Sequence, residues 1–382
     1  MSAFAITRRA AVVAAAAALL GACSIIPRGP RTPPPVTQPT PEAGTGTLPA
    51  DQQRHRVALL VPMTGTNAAV GQSIANATTM ALLDTNAANL RITTYDTGPG
   101  AREAARKALA DGNRLVLGPL MGGEIAAVTA LTRPARVPVI SFSNDSTLAS
   151  GDAFVMGQLP QQSIARTVRY ARGQGAQSFA VLAPEGDYGR LAEAALRQAV
   201  VRHGGRVAAV ETYARGNTSV VSAAQRLKAR GGFDSVLIAD GGRLAAQGAA
   251  QLRPGTARIL GTELWSGEAT IARAPALTGA MFAAVPDARY KRFFDSYQAR
   301  FGGAPHRVAT LGYDAVLLTL RVARDWRPGQ AFPIARLRDP GGFSGLDGAF
   351  RFGADGVVER AMEVRQVRAG GVAVVDPAPT SF

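Results

Sequence analysis

Arg56-Val-Ala-Leu-Leu-Val61, closed by Pro62 and Gly65, is a continuous apolar run of strand length. An unbroken run, with no alternation of polar and apolar residues, predicts a strand covered on both faces, as in a parallel sheet. A helical pattern follows from about Gln72 to Asp84, and the period then switches again and again. Leu90 to Tyr95 reads as a strand, Ala101 to Asp111 as a helix and Leu115 to Leu117 as a strand. Glu124 to Leu131 reads as a helix and Val137 to Ile140 as a strand. Strands alternating with helices of this length predict βαβ units.

The pattern then restarts. Helices are predicted from about Gln161 to Arg172, Arg190 to His203, Ser219 to Arg230 and Leu244 to Leu252. Between them Phe179 to Ala183, Val207 to Tyr213, Ser235 to Ala239 and Arg258 to Leu260 read as strands. Two α/β units therefore stand in series, each of about a hundred residues, a usual domain size. Beyond them Asp287 to Phe301 is an amphipathic helix ended by Gly302-Gly303 and Pro305. Ala309 to Ala323 is almost wholly apolar and predicts a buried helix, in which Asp314 needs a partner. Short strands are expected at 350–352, 362–367 and 372–375. A chain that builds one unit, then a second, then adds further elements predicts crossovers back to the first. The expected division gives 55–157 plus about 286–335 to an N-terminal lobe and 158–285 plus about 336–376 to a C-terminal lobe. Open α/β sheets bind ligands at the carboxyl ends of their strands, so two such lobes would share a cleft.

Upstream, Arg8 and Arg9 precede an apolar run from Ala10 to Leu20 that is too short to span a bilayer. Residues 1–22 are expected to be a signal peptide. Leu20-Gly21-Ala22-Cys23 resembles a bacterial lipobox, which implies lipidation of Cys23, the one cysteine of the chain. By the sorting pattern of such lipoproteins, Ser24 implies an outer-membrane anchor facing the periplasm. Thr7-Arg8-Arg9 also resembles a twin-arginine export signal. Residues 23–54 carry eight prolines, from Pro27 to Pro49, and read as a tether rather than a core. At about 3 Å per residue an extended tether reaches several tens of Å.

The net charge is +15 over 382 residues, yet only Lys107, Lys228 and Lys291 are lysine and arginine is spread without a block. The basic residues do not interleave with aromatics as a stacking surface requires, so nucleic acid is not expected as a partner. There is no P-loop, HExxH, GxSxG or strand–GxGxxG–helix fingerprint. His55, His203 and His306 lie far apart and are expected at the surface rather than as catalytic bases. No catalytic residue, metal site or cofactor is expected. The chain reads as a binder and not as an enzyme.

The order of elements resembles the type I periplasmic binding fold of the branched-chain amino-acid binding proteins. Pro62-Met-Thr-Gly65 with Gly71, Asp187-Tyr-Gly189, Gly312-Tyr-Asp-Ala315 and the run from Gly342 to Phe350 carry that resemblance over about 55–376. Leu59 to Gly65, Leu117-Gly-Pro-Leu120, Val137-Pro-Val-Ile140, Phe154-Val-Met-Gly157, Leu182 to Asp187 and Gly204-Gly205 are more similar to the lipoprotein activators of penicillin-binding proteins (LppC/YraM type). That resemblance implies a non-catalytic lipoprotein that activates peptidoglycan synthesis by contact with a bifunctional penicillin-binding protein. The larger members carry an N-terminal helical-repeat domain, and here a Pro-rich tether stands in its place. The alternative is a solute receptor of an ABC importer for an amino-acid-like ligand.

Strand ends nominate the cleft residues. In the first lobe these are Thr64, Asn67, Ser141, Ser143 and Asn144, around a loop at 118–123. Amino-acid binders of this fold place a hydroxyl in that loop to hold the ligand carboxylate, whereas here it reads Leu120-Met121-Gly122-Gly123. Caps and turns compete for Ser141 and Ser143. In the second lobe Tyr188, Asp240, Glu263 and Trp265 sit at strand ends. The resemblance implies an acid for a ligand ammonium, for which Glu263 is the candidate, and an aromatic cover, for which Tyr188 is. Trp265 has a second reading, packing beneath a loop. Tyr313 and Asp314 read as hinge or core.

Overall fold

The computed structural model describes residues 54–216, 219–253, 255 and 257–382. The expected signal peptide, Cys23 and the tether up to residue 53 lie outside the described residues.

The first sheet has the order β2-β1-β3-β4-β5 and every pairing in it is parallel. Its strands are β1 (His55–Val61), β2 (Leu90–Asp96), β3 (Leu115–Leu117), β4 (Val139–Ser141) and β5 (Ala153–Val155). Helices α1 (Ala68–Asp84), α2 (Ala101–Ala110) and α3 (Ile125–Thr132) form the crossovers. The opening run explains itself in this setting. Val57, Leu59 and Val61 point into one core cluster while Ala58 and Leu60 point into another, so β1 needs apolar side chains at successive positions. Full burial of each such leucine or valine stabilises the fold by roughly 1.5–3 kcal/mol.

The second sheet has the order β15-β14-β10-β9-β8-β6-β7. Here β6 (Ser178–Pro184), β7 (Arg206–Tyr213), β8 (Ser235–Ile238), β9 (Arg258–Leu260) and β10 (Met281–Ala284) are parallel. The last two strands, β14 (Glu363–Arg368) and β15 (Gly371–Asp376), add antiparallel to that edge. α4 (Pro160–Gly173), α5 (Asp187–Arg202), α6 (Ser219–Arg230) and α7 (Gly242–Leu252) flank the sheet, and a short α8 (Ala269–Arg273) follows β9. Strand β6 repeats the logic of β1: Ala180 and Leu182 face one cluster, Phe179, Val181 and Ala183 the other.

One device recurs in both lobes. A proline stands at the end of a strand or just past it, and the next helix brings a glycine onto that proline's carbonyl. A Cβ at Gly71 would lie 1.8 Å from Pro62 O, and one at Gly189 would lie 1.7 Å from Pro184 O. Only glycine permits either approach.

From β10 the chain returns to the first lobe. α9 (Tyr290–Phe301) lays Phe293 and Tyr297 against Ala77 and Met80 of α1, and Gly302 closes it in the left-handed conformation at φ +75°. α10 (Thr310–Ala323) supplies Leu311, Ala315, Leu318 and Val322 to the core that holds β1. Next comes a small antiparallel sheet, β11 (Phe343–Gly345), β12 (Gly348–Phe352) and β13 (Val358–Arg360). The sequence reading assigned 336–360 to the C-terminal lobe, and the structure corrects this. Leu337, Phe343, Phe350, Phe352 and Val358 share the core of Val57 and Leu59 in the first lobe. Phe154 and Phe352 meet edge to face at 5.1 Å, a contact that pulls the small sheet to that side. The extra strands that do belong to the second sheet begin at Glu363.

Three segments thus connect the lobes: 156–159, 285–289 and 361–362. A buried polar network ties them together. Asp347 accepts from Arg307 Nη1 at 2.8 Å, Thr310 Oγ1 at 2.8 Å and Gln158 Nε2 at 3.2 Å. Arg307 also reaches Asp287 at 3.5 Å, and Arg365 pairs with both Asp287 and Glu363. Arg360 donates to Met156 O at 2.7 Å and faces Asp314 at 4.0 Å. Asp314 accepts from the backbone N–H of Leu346 at 2.6 Å, so the carboxylate that stood out in an apolar helix has its partners. Burial, with the neighbouring charge of Asp347, pushes the Asp314 carboxyl up to about 7. Arg307 and Arg360 hold Asp347 itself below the usual range against its burial.

Candidate functional site: the interlobe cleft

Both sheets are wound outward from a central strand, β1 in one and β6 in the other, where the direction of winding reverses. The carboxyl ends of strands at such points are where open sheets take ligands. A cavity of about 390 Å³ lies there, between the lobes. The first lobe contributes Asn67, Leu120, Met121, Phe142 and Asn144, and the second contributes Glu263, Leu264 and Ser266. Gln158 and Arg307, from the connecting region, complete a partly polar wall beside Val308 and Leu311. The volume suits a ligand of amino-acid or small aromatic size with an apolar body.

Glu263 is the central acid. It sits in a 3-10 turn (Glu263–Trp265) after β9, started by Thr262, whose side chain accepts from Leu264 N. The residue is 7% exposed. Its Oε1 accepts from Tyr188 Oη at 2.9 Å, while its Oε2 is buried with no hydrogen-bond partner. No cation pairs with it among the described residues, and burial pushes its carboxyl up to about 7. It is therefore divided between acid and carboxylate at neutral pH. Arg307 stands on the same cavity with its Nε buried and unpartnered, its guanidinium 4.3 Å from the Tyr290 ring centroid. An acid and a guanidinium, each with an unmet hydrogen-bonding atom, give the cleft the means to orient a polar ligand.

Of the nine nominated cleft residues, Asn67, Asn144 and Glu263 line the cavity. The other six do not, and each has an internal occupation. Thr64 Oγ1 donates to Asp96 at 2.7 Å, which fixes the loop after β1. Ser141 Oγ donates to Pro119 O at 2.9 Å and accepts from Ser143 N, and Ser143 Oγ accepts from Asp145 N. The turn roles named in the sequence reading hold for both serines. Tyr188 lies behind Glu263 and also meets Thr262 Oγ1 at 2.9 Å. Asp240 is bound by Tyr213 at 2.7 Å and by two nitrogens of Arg215 at 2.9 and 3.1 Å. Trp265 is 1% exposed, donates to Asp240 O and packs on Phe282, so the packing reading of that residue is the correct one. Sequence reasoning missed Arg307, Gln158 and the apolar wall of Val308 and Leu311. Gln158 follows β5, a strand that the sequence reading did not contain, while 307–311 lie far from any strand of the two large sheets, and no motif marks either segment.

The histidines need one correction. His306 is exposed and His203 half-buried, but His55 is buried at 4% exposure, stacked on Trp326 at 4.2 Å. At the start of the folded part it was expected at the surface, and the return of the chain after α10 covers it. Among the described residues no group of three or more His, Cys, Asp or Glu side chains is placed to hold a metal, and no helix is long and apolar enough to cross a membrane.

A family model described as periplasmic binding protein matches residues 55–372. The fold is similar to that of a leucine-binding protein LivK of Thermotoga maritima, at 20% identity over 84% of this chain and 97% of that one, with a TM-score of 0.64. It is similar also to a branched-chain amino acid ABC transporter ligand-binding protein of Burkholderia xenovorans LB400, at 18% identity over 85% and 96%, TM-score 0.69. A solute-binding protein of Rhodopseudomonas palustris BisB5, solved with 3,4-dihydroxybenzoic acid, matches at 19% identity over 86% and 97%, TM-score 0.68. Among curated proteins, an uncharacterized protein of Rickettsia prowazekii (strain Madrid E) is 26% identical over 168 residues, 43% of this chain and 44% of that relative. The chain thus matches less than half the length of that relative.

Proposed function

The chain belongs to the periplasmic binding protein family, and we propose that it is a non-catalytic receptor whose two lobes hold a small polar ligand in the cleft between them. The observation that carries this reading is that Glu263 and Arg307, each with a buried polar side-chain atom that has no partner, line one cavity of about 390 Å³. A buried polar atom left without a partner costs roughly 1–3 kcal/mol, a cost that a ligand supplying the missing bond removes. Neighbours of the same fold whose names give leucine, branched-chain amino acids or a dihydroxybenzoate as ligands support a ligand of that size. The N-terminal sequence supports attachment through a lipid on Cys23 and delivery to the periplasmic side of the outer membrane.

A second reading is favoured by a specific observation. The cleft hydroxyls that would hold an amino-acid carboxylate are engaged inside the protein, and the loop at 120–123 supplies none. On this reading the domain acts by contact, as an activator of a bifunctional penicillin-binding protein, in line with the resemblance of 59–65 and 117–120 to those lipoproteins.

Calorimetric titration with a panel of free amino acids and hydroxybenzoates, paired with thermal shift, separates the two. The receptor reading expects saturable heat and stabilisation by about 2.7 kcal/mol at a hundredfold excess over Kd. Absence of both across the panel, with capture of a bifunctional synthase by the full chain, overturns the receptor reading in favour of the activator.

A further inference from the structure

Another cavity, of about 470 Å³, lies beside the connecting segment at 361–362 and shares no lining residue with the cleft. Arg166 and Arg169 of α4 line it, with Arg202 and His203 from the end of α5. The rest of its wall comes from 359–362 and from the tail that carries Pro379 and Phe382. These walls are pinned to one another. Gln162 donates to Val358 O and accepts from Arg360 N at 3.1 Å, which stitches α4 to β13. Arg166 donates to Met362 O at 3.1 Å and pairs with Asp376 at 2.7 Å, which ties the same helix to the connecting segment and to β15. Glu359, the one carboxylate on the cavity, pairs with Arg351 at 2.7 Å, and Arg351 also stands 4.7 Å from the Phe382 ring centroid.

Two guanidinium groups on the cavity stand outside these pairs. Among the described residues the side chains of Arg169 and Arg202 have neither an ion pair nor a hydrogen bond, and both are exposed. A cation at the end of α5 could serve the carbonyls there, but Arg172 already does so, donating to His203 O at 2.8 Å. Burial lowers the His203 imidazole, and the charges of Arg169, Arg202 and Arg172 lower it further, so the three guanidinium groups act on one point. Ala165, Met362, Pro379 and Phe382 give the same cavity an apolar wall. Small-ligand sites combine such a wall with a few charged groups. Guanidinium groups are the side chains best shaped to meet phosphate or carboxylate oxygens in pairs.

We infer that this cavity binds an organic anion, with Arg169 and Arg202 on its phosphate or carboxylate group and its apolar body against Met362, Pro379 and Phe382. The inference is independent of what fills the cleft.

Calorimetric titration of the full chain at constant ionic strength tests it. Phenyl phosphate and benzoate are the probes, and phenol and inorganic phosphate supply the apolar body and the anion separately. Saturable binding of a whole probe is expected, and the tighter of the two identifies the anionic group. Phenol and inorganic phosphate should each bind more weakly by about tenfold or more. Arg169→Glu and Arg202→Glu, both at exposed positions, are each expected to raise the Kd by about tenfold or more with the circular dichroism spectrum unchanged. Arg324→Glu makes the same change of charge at an exposed position of the first lobe and should leave the Kd where it was. No saturable binding of either probe, inorganic phosphate bound as tightly as phenyl phosphate, a Kd unmoved by the two reversals, or an equal rise in Arg324→Glu overturns the inference.

Discussion

Tyr188 Oη and Glu263 Oε1 lie 2.9 Å apart, joining the helix after β6 to the turn after β9 directly behind the cleft wall. The tyrosine is half of what keeps a buried, cation-free acid tolerable. Tyr188→Phe removes the donor and leaves both carboxyl oxygens unmet. Stability is expected to fall by about 1–3 kcal/mol, read as a lower urea midpoint with an unchanged slope.

Glu263 also sets a pH dependence. Its folded value of about 7 lies above the ordinary 4.5, so the folded state holds the proton more tightly than the unfolded chain. The stability tied to that proton is present in full below about 4.5 and is lost as pH rises through about 7. Asp314, also raised to about 7, acts in the same direction. Urea midpoints measured from pH 5 to pH 8 should therefore decline. In Glu263→Gln that decline should shrink, with the variant gaining on the parent at pH 8 by about 1–3 kcal/mol.

The two proline-facing glycines make a matched pair. Gly71→Ala and Gly189→Ala each drive a methyl into a carbonyl oxygen, at 1.8 and 1.7 Å before any shift. Backbone atoms on both sides must move, so each substitution is expected to cost about 1–3 kcal/mol or more. Thermal unfolding checks it, with Gly173→Ala, where nothing lies within 4 Å, as the tolerated control.

Asp347 holds the connecting segments together through Arg307, Thr310 and Gln158. Asp347→Asn leaves Arg307 with a single carboxylate at 3.5 Å in a buried setting. Breaking a pair of this kind costs about 3–5 kcal/mol. A fall in the unfolding midpoint of that size is expected, and a shift of a few tenths would show that the network is dispensable.

The alternation of strands and helices was legible because β1 and β6 are buried on both faces and so must be apolar throughout. Two short strands, β5 (Ala153–Val155) and β10 (Met281–Ala284), did not stand out from their surroundings. Met281–Ala284 became β10 because a sheet edge was waiting for it between β9 and β14. Placement of the stretch around 343–360 failed for a related reason. Phe343, Phe350 and Phe352 announce burial but not the lobe that buries them. In the cleft, Glu263 was found from its position after a strand. Thr64, Ser141 and Ser143 stand at equally good positions but bond within the protein, Thr64 to the Asp96 carboxylate and the two serines to nearby backbone groups, since a hydroxyl satisfies a local partner as readily as a ligand. Arg307 could be found only once Asp287 and Asp347 were brought to it.

The return of the chain to the first lobe governs the order of assembly. Val57 and Val358 belong to one core, so the lobe that begins first in the sequence is completed almost last. The second lobe has its five parallel strands complete by Ala284 and lacks only the edge pair. During synthesis from the amino end, β1 must wait with apolar surface uncovered while the later lobe closes. Contacts of such separation slow folding. The early half of this protein therefore depends on whatever keeps a nascent chain from aggregating until its last fifth has emerged.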